Sequence, residues 1–206
     1  MTRVKNVVFD AGNILIGYRW QEVLRDFGCD EETVMRVGRE AFESPYWQII
    51  DYGTDDLKWL TDRLATVYPG DAAEIRYFLG HPAEMAQPRP AVEARIPALK
   101  AAGYGIYVLS NYSEELFASH VACRPFMAQI DGLLLSAREH MLKPDDRIYR
   151  RFLEKFGLKG EECLFFDDRK ENVAGAIRNG IPAICTPTEE VLLAEIDRLL
   201  AGENIR

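Results

Sequence analysis

Five short apolar runs punctuate the chain, at residues 4–9, 105–109, 132–135, 163–166 and 182–185. Each is too short for an ordinary helix, and most are followed by a segment with helical periodicity, so each reads as a buried strand. Helical periodicity fills most of the intervals, at 91–102, 147–156, 172–179 and 189–200. Ile148, Phe152 and Phe156 recur at spacing four and would share one helix face. Gly157 and Gly180 follow two of these segments, where a C-terminal glycine stops a helix. Alternating strands and helices predict a parallel sheet covered on both faces. Pro97 lies inside the 91–102 segment and predicts a kink or a late helix start.

The stretch from 17 to 88 breaks the alternation. It carries no convincing strand and reads as helices at 20–27, 31–42, 55–67 and 72–79, with Asp30, Thr54 and Asp71 as N-caps. An all-helical block between the first and second strands predicts an insertion over the C-terminal edge of the sheet. Residues 81–90 hold three prolines and suit a stiff hinge. The expected architecture is therefore an α/β, Rossmann-like parallel sheet core (1–16 and 89–206) with an inserted all-helical cap (17–88).

The 206 residues suffice for such a core with an insertion. A net charge of −8 argues against a nucleic-acid or anionic-membrane surface, though not against a small positive pocket. The four cysteines, at 29, 123, 163 and 185, lack C-x-x-C spacing and read as reduced thiols. No apolar run approaches a membrane span and no leader pattern precedes the first strand, so the cytoplasm is the expected compartment. Oligomeric state is not readable.

Four segments carry candidate chemistry. In the first, Asp10 ends a strand and enters Ala11-Gly12-Asn13; it could be a nucleophile, a metal ligand or a turn-forming acid. In the second, Ser110-Asn111 follows Val108-Leu109, offering a hydroxyl and backbone N–H groups to an anion, or simply a helix cap. The third is Leu142-Lys143-Pro144-Asp145, whose lysine could neutralise a phosphate or sit in solvent. The fourth is Phe165-Phe166-Asp167-Asp168, with Asn172 four residues on from Asp168. Adjacent carboxylates at a strand end repel unless a cation or proton relieves them, and oxygen ligands of this kind suit Mg²⁺. Asn172 would orient one acid or cap the helix. Each segment falls at a strand end or just before a helix, so Asp10, Ser110, Lys143 and Asp167-Asp168 would converge at one edge of one sheet.

Taken together, Phe-Asp-x-x-Asn, Leu-Ser-Asn, Lys-Pro-Asp and Phe-Phe-Asp-Asp-x-x-x-Asn resemble the four motifs of the haloacid dehalogenase-like hydrolase superfamily. The helical insertion resembles its helical cap class. The Asp-Ala-Gly-Asn form of the first motif is similar to bacterial sugar-phosphate phosphatases of the α-D-glucose-1-phosphate phosphatase kind. The resemblance implies a Mg²⁺-dependent phosphatase acting on a small phosphorylated metabolite, such as a sugar phosphate. Asp10 would form an aspartyl-phosphate, and Ser110 and the Asn111 N–H would hold phosphoryl oxygens. Lys143 would neutralise charge, and Asp10, the Gly12 carbonyl and Asp168 would hold Mg²⁺, with Asp167 acting through a metal-bound water. In most phosphatases of the superfamily position 12 is Asp, a general acid and base; Gly12 has no acid to offer, and Asn13 does not titrate near neutral pH. The alternatives are a metal-independent haloacid dehalogenase, or a weakly active binding protein. Substrate choice would lie in the cap, with Arg19, Trp47, Tyr52 and the Gly53-Thr54 turn as candidates to face the pocket, against packing of Trp47 and Tyr52 within the cap.

Overall fold

The computed structural model describes residues 3–203. The chain runs β1 (Asn6–Phe9), β2 (Ile16–Tyr18), α1 (Trp20–Phe27), α2 (Glu31–Phe42), α3 (Pro45–Tyr52), α4 (Leu57–Val67), α5 (Ala72–Gly80), β3 (Ala86–Pro88), α6 (Pro90–Ala101) and β4 (Gly105–Ser110). It continues through α7 (Glu114–Phe117), β5 (Gly132–Leu135), α8 (Ser136–Glu139), α9 (Asp146–Phe156), β6 (Cys163–Asp167), α10 (Lys170–Arg178), β7 (Ala183–Cys185) and α11 (Glu189–Leu200).

All five expected strands form one sheet in the order β5-β4-β1-β6-β7, with every neighbouring pair parallel. β1 is central because its residues are apolar on both faces. Val7 and Phe9 point into one core layer with Ile106, Val108, Leu164 and Phe166. Val8 points into the other, with Leu109, Phe165 and the α9 residues Ile148, Tyr149 and Phe152. This two-sided burial is what a parallel sheet needs, since its crossover helices cover both faces. Ile148 and Phe152 are fully buried as the spacing predicts, while Phe156 lies at the margin, 5.3 Å from the Tyr107 ring. Gly157 takes the left-handed C-terminal position of α9 at φ 63°.

The register aligns the strand ends. Phe9 lies opposite Val108 and Phe166, so Asp10 and Asp167 emerge side by side, with Ser110 one step further along β4. The chemistry-bearing segments therefore share one sheet edge.

Several details differ from the sequence reading. The 17–88 stretch does carry strand: β2 and β3 pair antiparallel, Ile16 opposite Pro88 and Tyr18 opposite Ala86, where the chain leaves and re-enters the core. Residues 81–90, expected as a plain hinge, hold a 3₁₀ turn at Pro82–Met85 and then β3. A three-residue edge ribbon tolerates Pro88, because an edge position has no obligatory N–H partner. Helix α3 was not expected; Pro45 opens it and Gly53 closes it at φ 84°. Asp30 caps α2 through Thr33 N as expected, but Asp56 rather than Thr54 caps α4. Asp71 stands at the N-cap position of α5 as expected, but its side chain caps no N–H, because both its oxygens accept from Arg36, at 2.8 Å each. Helix α6 starts at Pro90 and continues through Pro97, with Val92, Ile96 and Leu99 buried against the sheet. That burial compensates the helix bond Pro97 cannot make.

Candidate active site

β1 ends at Asp10 because the next residues turn back on themselves. The N–H groups of Ile14, Leu15 and Ile16 all point at the Ala11 carbonyl, at 3.3, 2.9 and 3.1 Å. Asn13 occupies the left-handed region at φ 57°, which its short polar side chain tolerates. Its carbonyl accepts from Arg89 at 2.6 Å and its amide donates to Asp168 Oδ2 at 3.0 Å. Asn13 is thus a structural tie between the first and fourth segments.

Asp10 is nearly buried and asymmetrically held. Its Oδ1 accepts from the Ser110 hydroxyl at 2.6 Å and lies 2.9 Å from Lys143 Nζ. Its Oδ2 has no hydrogen-bond partner among the described residues. Lys143 also reaches Asp167 Oδ2 at 2.6 Å, so one ammonium bridges two carboxylates. It sits 5.1 Å from the centre of the Phe165 ring. Burial works against the charge on Lys143, but Asp10 and Asp167 outweigh it and hold the ammonium above its ordinary range. Burial likewise pushes Asp10 up, to about 6, against the downward pull of Lys143.

Asn111 and Asn172 act as clamps. The Asn111 amide donates to the Lys143 carbonyl at 2.9 Å, and its oxygen accepts from Lys143 N at 2.8 Å, fixing the loop that carries the lysine. Asn172 Nδ2 donates to both oxygens of Asp167, at 3.0 and 3.1 Å, while Arg169 N donates to Oδ1 at 2.9 Å. With Lys143 included, every face of Asp167 is in use. Asp168 is less committed: its side chain accepts from Asn13, and burial raises its carboxyl. Carboxylate oxygens of Asp10, Asp167 and Asp168 lie within 4.8 Å of one another, a set of hard donors suited to Mg²⁺. The Asp167 contacts leave Asp10 and Asp168 as the freer ligands.

A cavity of about 910 Å³ opens over this edge. Its core wall includes Asp10, Gly12, Asn111, Lys143, Asp168 and Arg169. Its cap wall runs from Phe42 to Asp51 along the end of α2 and into α3. Asp10, Glu43, Asp51, Asp145 and Asp168 line it against two permanent cations, Lys143 and Arg169. Even with Asp51 protonated, the remaining acids outnumber the two cations and would repel a phosphate dianion, so a divalent cation fits the charge balance as well as the donor set. Burial pushes the Asp51 carboxyl up to about 7, with a Ser113 backbone hydrogen bond opposing it.

The structure brings Asp10, Ser110, Lys143, Asp167 and Asp168 together at one sheet edge, as their places at strand ends predict, with Gly12, Asn111 and Asn172 beside them. Of the cap candidates, one of the four lines the cavity. Trp47 does line the cavity, while also packing 4.7 Å from the Phe42 ring. Tyr52 instead packs on His140, 5.6 Å between ring centres, and Arg19 pairs with Asp26 at 3.6 Å, both away from the cavity. The Gly53-Thr54 turn seats the cap on the core, since a Cβ on Gly53 would run into the Ala137 backbone. Missed altogether were Asp51 and a hydrogen-bonded row of half-buried Tyr18 with buried Tyr112 and His120. Tyr112 directly follows Ser110-Asn111, and that adjacency was the one signal available.

Residues 4–180 match the family described as haloacid dehalogenase-like hydrolase. Among curated relatives, a sesquiterpene phosphatase of Aspergillus oryzae is 23% identical over 175 residues, 85% of this chain and 86% of that protein. The (S)-2-haloacid dehalogenase 4A of Burkholderia cepacia is 25% identical over 148 residues, 68% of this chain and 58% of that one. Among solved structures, a HAD-like family hydrolase from Porphyromonas gingivalis superposes with a TM-score of 0.75 at 23% identity, covering 97% of this chain and 98% of that one. A HAD family enzyme from Bacteroides thetaiotaomicron, in complex with magnesium and inorganic phosphate, superposes at 0.68 with 19% identity, covering 88% and 93%.

Proposed function

The chain belongs to the haloacid dehalogenase-like hydrolases, and on that footing we propose that it is a Mg²⁺-dependent phosphatase of small phosphorylated metabolites, working through an aspartyl-phosphate on Asp10. The observation that carries the reading is the state of Asp10. Ser110 and Lys143 pin Oδ1 while Oδ2 has no partner among the described residues, and Asp10 lines the cavity, as an oriented nucleophile should. The Asp10 lone pair attacks phosphorus and the ester oxygen departs; water then cleaves the acyl phosphate. Lys143 neutralises charge on Asp10 and the phosphoryl group, and Asp167 with Asn172 holds Lys143 in place. The Asn111 N–H would take a phosphoryl oxygen, and the Ser110 hydroxyl would join it by turning from Asp10 Oδ1 once that carboxylate is esterified. Asp10, the Gly12 carbonyl and Asp168 would hold Mg²⁺, which screens phosphate from the acidic wall and stabilises its developing charge.

The cap wall favours a polar substrate. Glu43, Ser44, Gln48 and Asp51 stand beside Phe42 and Trp47, a mixture that suits a hydroxyl-bearing ring such as a sugar phosphate. A terpenoid phosphate would bury those polar groups without partners. The magnesium and phosphate bound by the Bacteroides protein support the reaction class. We place the activity in the cytoplasm; among the described residues no helix is long and apolar enough to cross a membrane.

One observation favours haloacid dehalogenation instead: halide leaves without a proton, and Gly12 supplies none. That reaction leaves Asp168, which unlike Asp167 has no lysine beside it, without a cation to bind, which is why the phosphatase reading is preferred. The test is phosphate release from a panel of sugar phosphates, a sesquiterpenyl phosphate and p-nitrophenyl phosphate, with Mg²⁺ or with chelator. Mg²⁺-dependent release, abolished in Asp10→Asn, is expected. Release no greater than in Asp10→Asn would sink the reading, and metal-free halide release from a 2-haloacid would replace it. Mg²⁺ binding without turnover would mark a binding protein.

A further inference from the structure

Hydrolysis of an alkyl phosphate needs a proton twice. The departing alkoxide must receive one, and the water that cleaves the acyl phosphate must lose one. Among the acids at the site, Asp10 is the nucleophile, Asp167 is saturated by Lys143, Asn172 and Arg169 N, and Asp168 is a metal ligand on the reading above. Position 12 has no side chain. The space beside it is filled from elsewhere: a Cβ placed on Gly12 would lie 2.5 Å from the Tyr18 hydroxyl and 3.1 Å from the Tyr18 ring. A carboxyl oxygen stands about that far from its own Cβ, so the Tyr18 hydroxyl sits at the reach of a short side chain two residues past Asp10.

Behind Tyr18 runs a continuous row. Its hydroxyl lies 2.7 Å from that of Tyr112, which lies 2.9 Å from His120 Nδ1; His120 Nε2 lies 2.6 Å from the Pro82 carbonyl. Tyr112 and His120 are 4% and 2% exposed, so bulk water does not interrupt the row. Tyr18, Tyr112 and His120 all border the cavity that holds Asp10. His120 sits in a π-helical turn, Ala118–Ala122, a local irregularity of the kind that concentrates at functional sites.

The Pro82 carbonyl fixes the direction of the row. A carbonyl only accepts, so Nε2 carries hydrogen and Nδ1 of the neutral ring is bare. Tyr112 then donates to Nδ1, Tyr18 donates to Tyr112, and the Tyr18 oxygen presents lone pairs to the site. Adding one proton at Nδ1 reverses every bond and turns the Tyr18 hydrogen toward the site. The row therefore has two states that differ by one proton, one accepting and one donating.

We propose that Tyr18, Tyr112 and His120 form a proton relay serving both half-reactions, with Tyr18 as the catalytic residue and Tyr112 and His120 as the positioning residues behind it. The proposal rests on the phosphatase reading above. In the first half-reaction Asp10 Oδ2 bonds to phosphorus, the phosphorus–ester oxygen bond breaks and its electron pair stays on the leaving oxygen. That oxygen takes the Tyr18 proton, Tyr18 takes that of Tyr112, and Tyr112 takes that of His120 Nδ1, leaving neutral imidazole. In the second half-reaction water bonds to phosphorus and the Asp10–phosphorus bond breaks back to carboxylate. The water proton passes to Tyr18, the Tyr18 proton to Tyr112 and the Tyr112 proton to Nδ1. Each cycle ends with the imidazolium restored, alcohol and phosphate released.

The groups bearing on the row are few. Tyr18 and Tyr112 face His120, with the Pro82 carbonyl on its other side; Asp10 and Asp51 bear on both tyrosines and Asp168 on Tyr18. Asp51 and Glu43 are the competing acids, since both line the same cavity; Asp145 also lines it but is paired with Arg147.

The test compares a simple alkyl phosphate with p-nitrophenyl phosphate, whose phenolate leaves without a proton. In Tyr18→Phe, kcat/KM for the alkyl phosphate should fall by about 10²–10⁴-fold. The kcat/KM for p-nitrophenyl phosphate should fall by less than about tenfold, while its kcat drops and phospho-Asp10 accumulates, because the second half-reaction still needs a base. His120→Gln keeps an N–H for Pro82 and an acceptor for Tyr112 but cannot titrate. It should show the same split and lack the loss of alkyl phosphatase activity expected in wild type as pH rises through the His120 titration. Nitrogen-15 NMR of His120 tests the row without turnover: on the alkaline side of its titration Nε2 should be protonated and Nδ1 bare, on the acid side Nδ1 should gain the proton, and Nδ1 should shift in Tyr112→Phe. Equal losses on both substrates, no loss in folded variants, or the opposite tautomer would overturn the relay. A selective loss in Asp51→Asn alone would transfer the role to Asp51. Wild-type protein inactive on both substrates would instead refute the phosphatase reading itself.

Discussion

Gly12 is required by what faces it, and Gly12→Ala measures how firmly that neighbour is held. Its φ lies outside the left-handed region that favours glycine, so alanine meets no backbone penalty there. The new methyl would instead meet the Tyr18 hydroxyl at 2.5 Å and ring carbons at 3.1 and 3.2 Å. Relief requires Tyr18 to retreat by most of an ångström, which breaks its 2.7 Å bond to Tyr112. Overpacking of this kind costs about 1–3 kcal/mol, and the lost hydrogen bond adds about 0.5–1.5 kcal/mol. We expect Gly12→Ala to destabilise by about 2–4 kcal/mol in urea unfolding at constant m-value. Tyr18→Phe removes the clashing oxygen, so the double variant should recover at least about 1 kcal/mol relative to the sum of the single changes. Gly12→Asp should be worse than Gly12→Ala for the same reason, rather than a gain of function. A Gly12→Ala protein as stable as wild type, or single changes that simply add, would refute the steric account and with it the placement of Tyr18.

Asp51 should make stability fall with rising pH. Its folded carboxyl titrates near 7 against an ordinary 3.8, so between those values the folded state holds a proton that the unfolded chain has lost. Asp51→Asn should therefore match wild type below about pH 4 and exceed it by up to about 4 kcal/mol at pH 8 in denaturant titrations; a difference independent of pH would contradict the burial argument. Lys143→Met leaves Asp10 and Asp167 facing each other without their shared ammonium, and should cost about 3–5 kcal/mol in thermal or urea unfolding as well as abolishing turnover. Adding Asp167→Asn should return part of that stability but none of the activity.

The sheet and its active edge were legible because their signals are local. β1 and β6 are continuous apolar runs that end in acids, and a parallel sheet places such ends together. β2 and β3 were not legible because three residues carry no period, and Pro88 reads as a breaker until an edge position excuses it. Helix α3 was hidden by its length and by the glycine that ends it. Asp71 shows a different limit: it has the right chemistry for a cap, but Arg36, 35 residues away in sequence, takes both its oxygens. The Tyr18–Tyr112–His120 row draws on three separate elements, so no spacing announces it. Gly12 was the informative gap. Its missing acid was visible in the sequence, while the hydroxyl beside it is a fact of tertiary structure alone.

The central claim is a covalent phosphoryl group on Asp10. Wild-type protein mixed with Mg²⁺ and p-nitrophenyl phosphate, quenched in acid within one turnover and digested, should yield the Asp10 peptide carrying a phosphoryl group by mass spectrometry. The Tyr18→Phe protein should yield more of it. Turnover with an unmodified Asp10 peptide at every quench time would contradict the account.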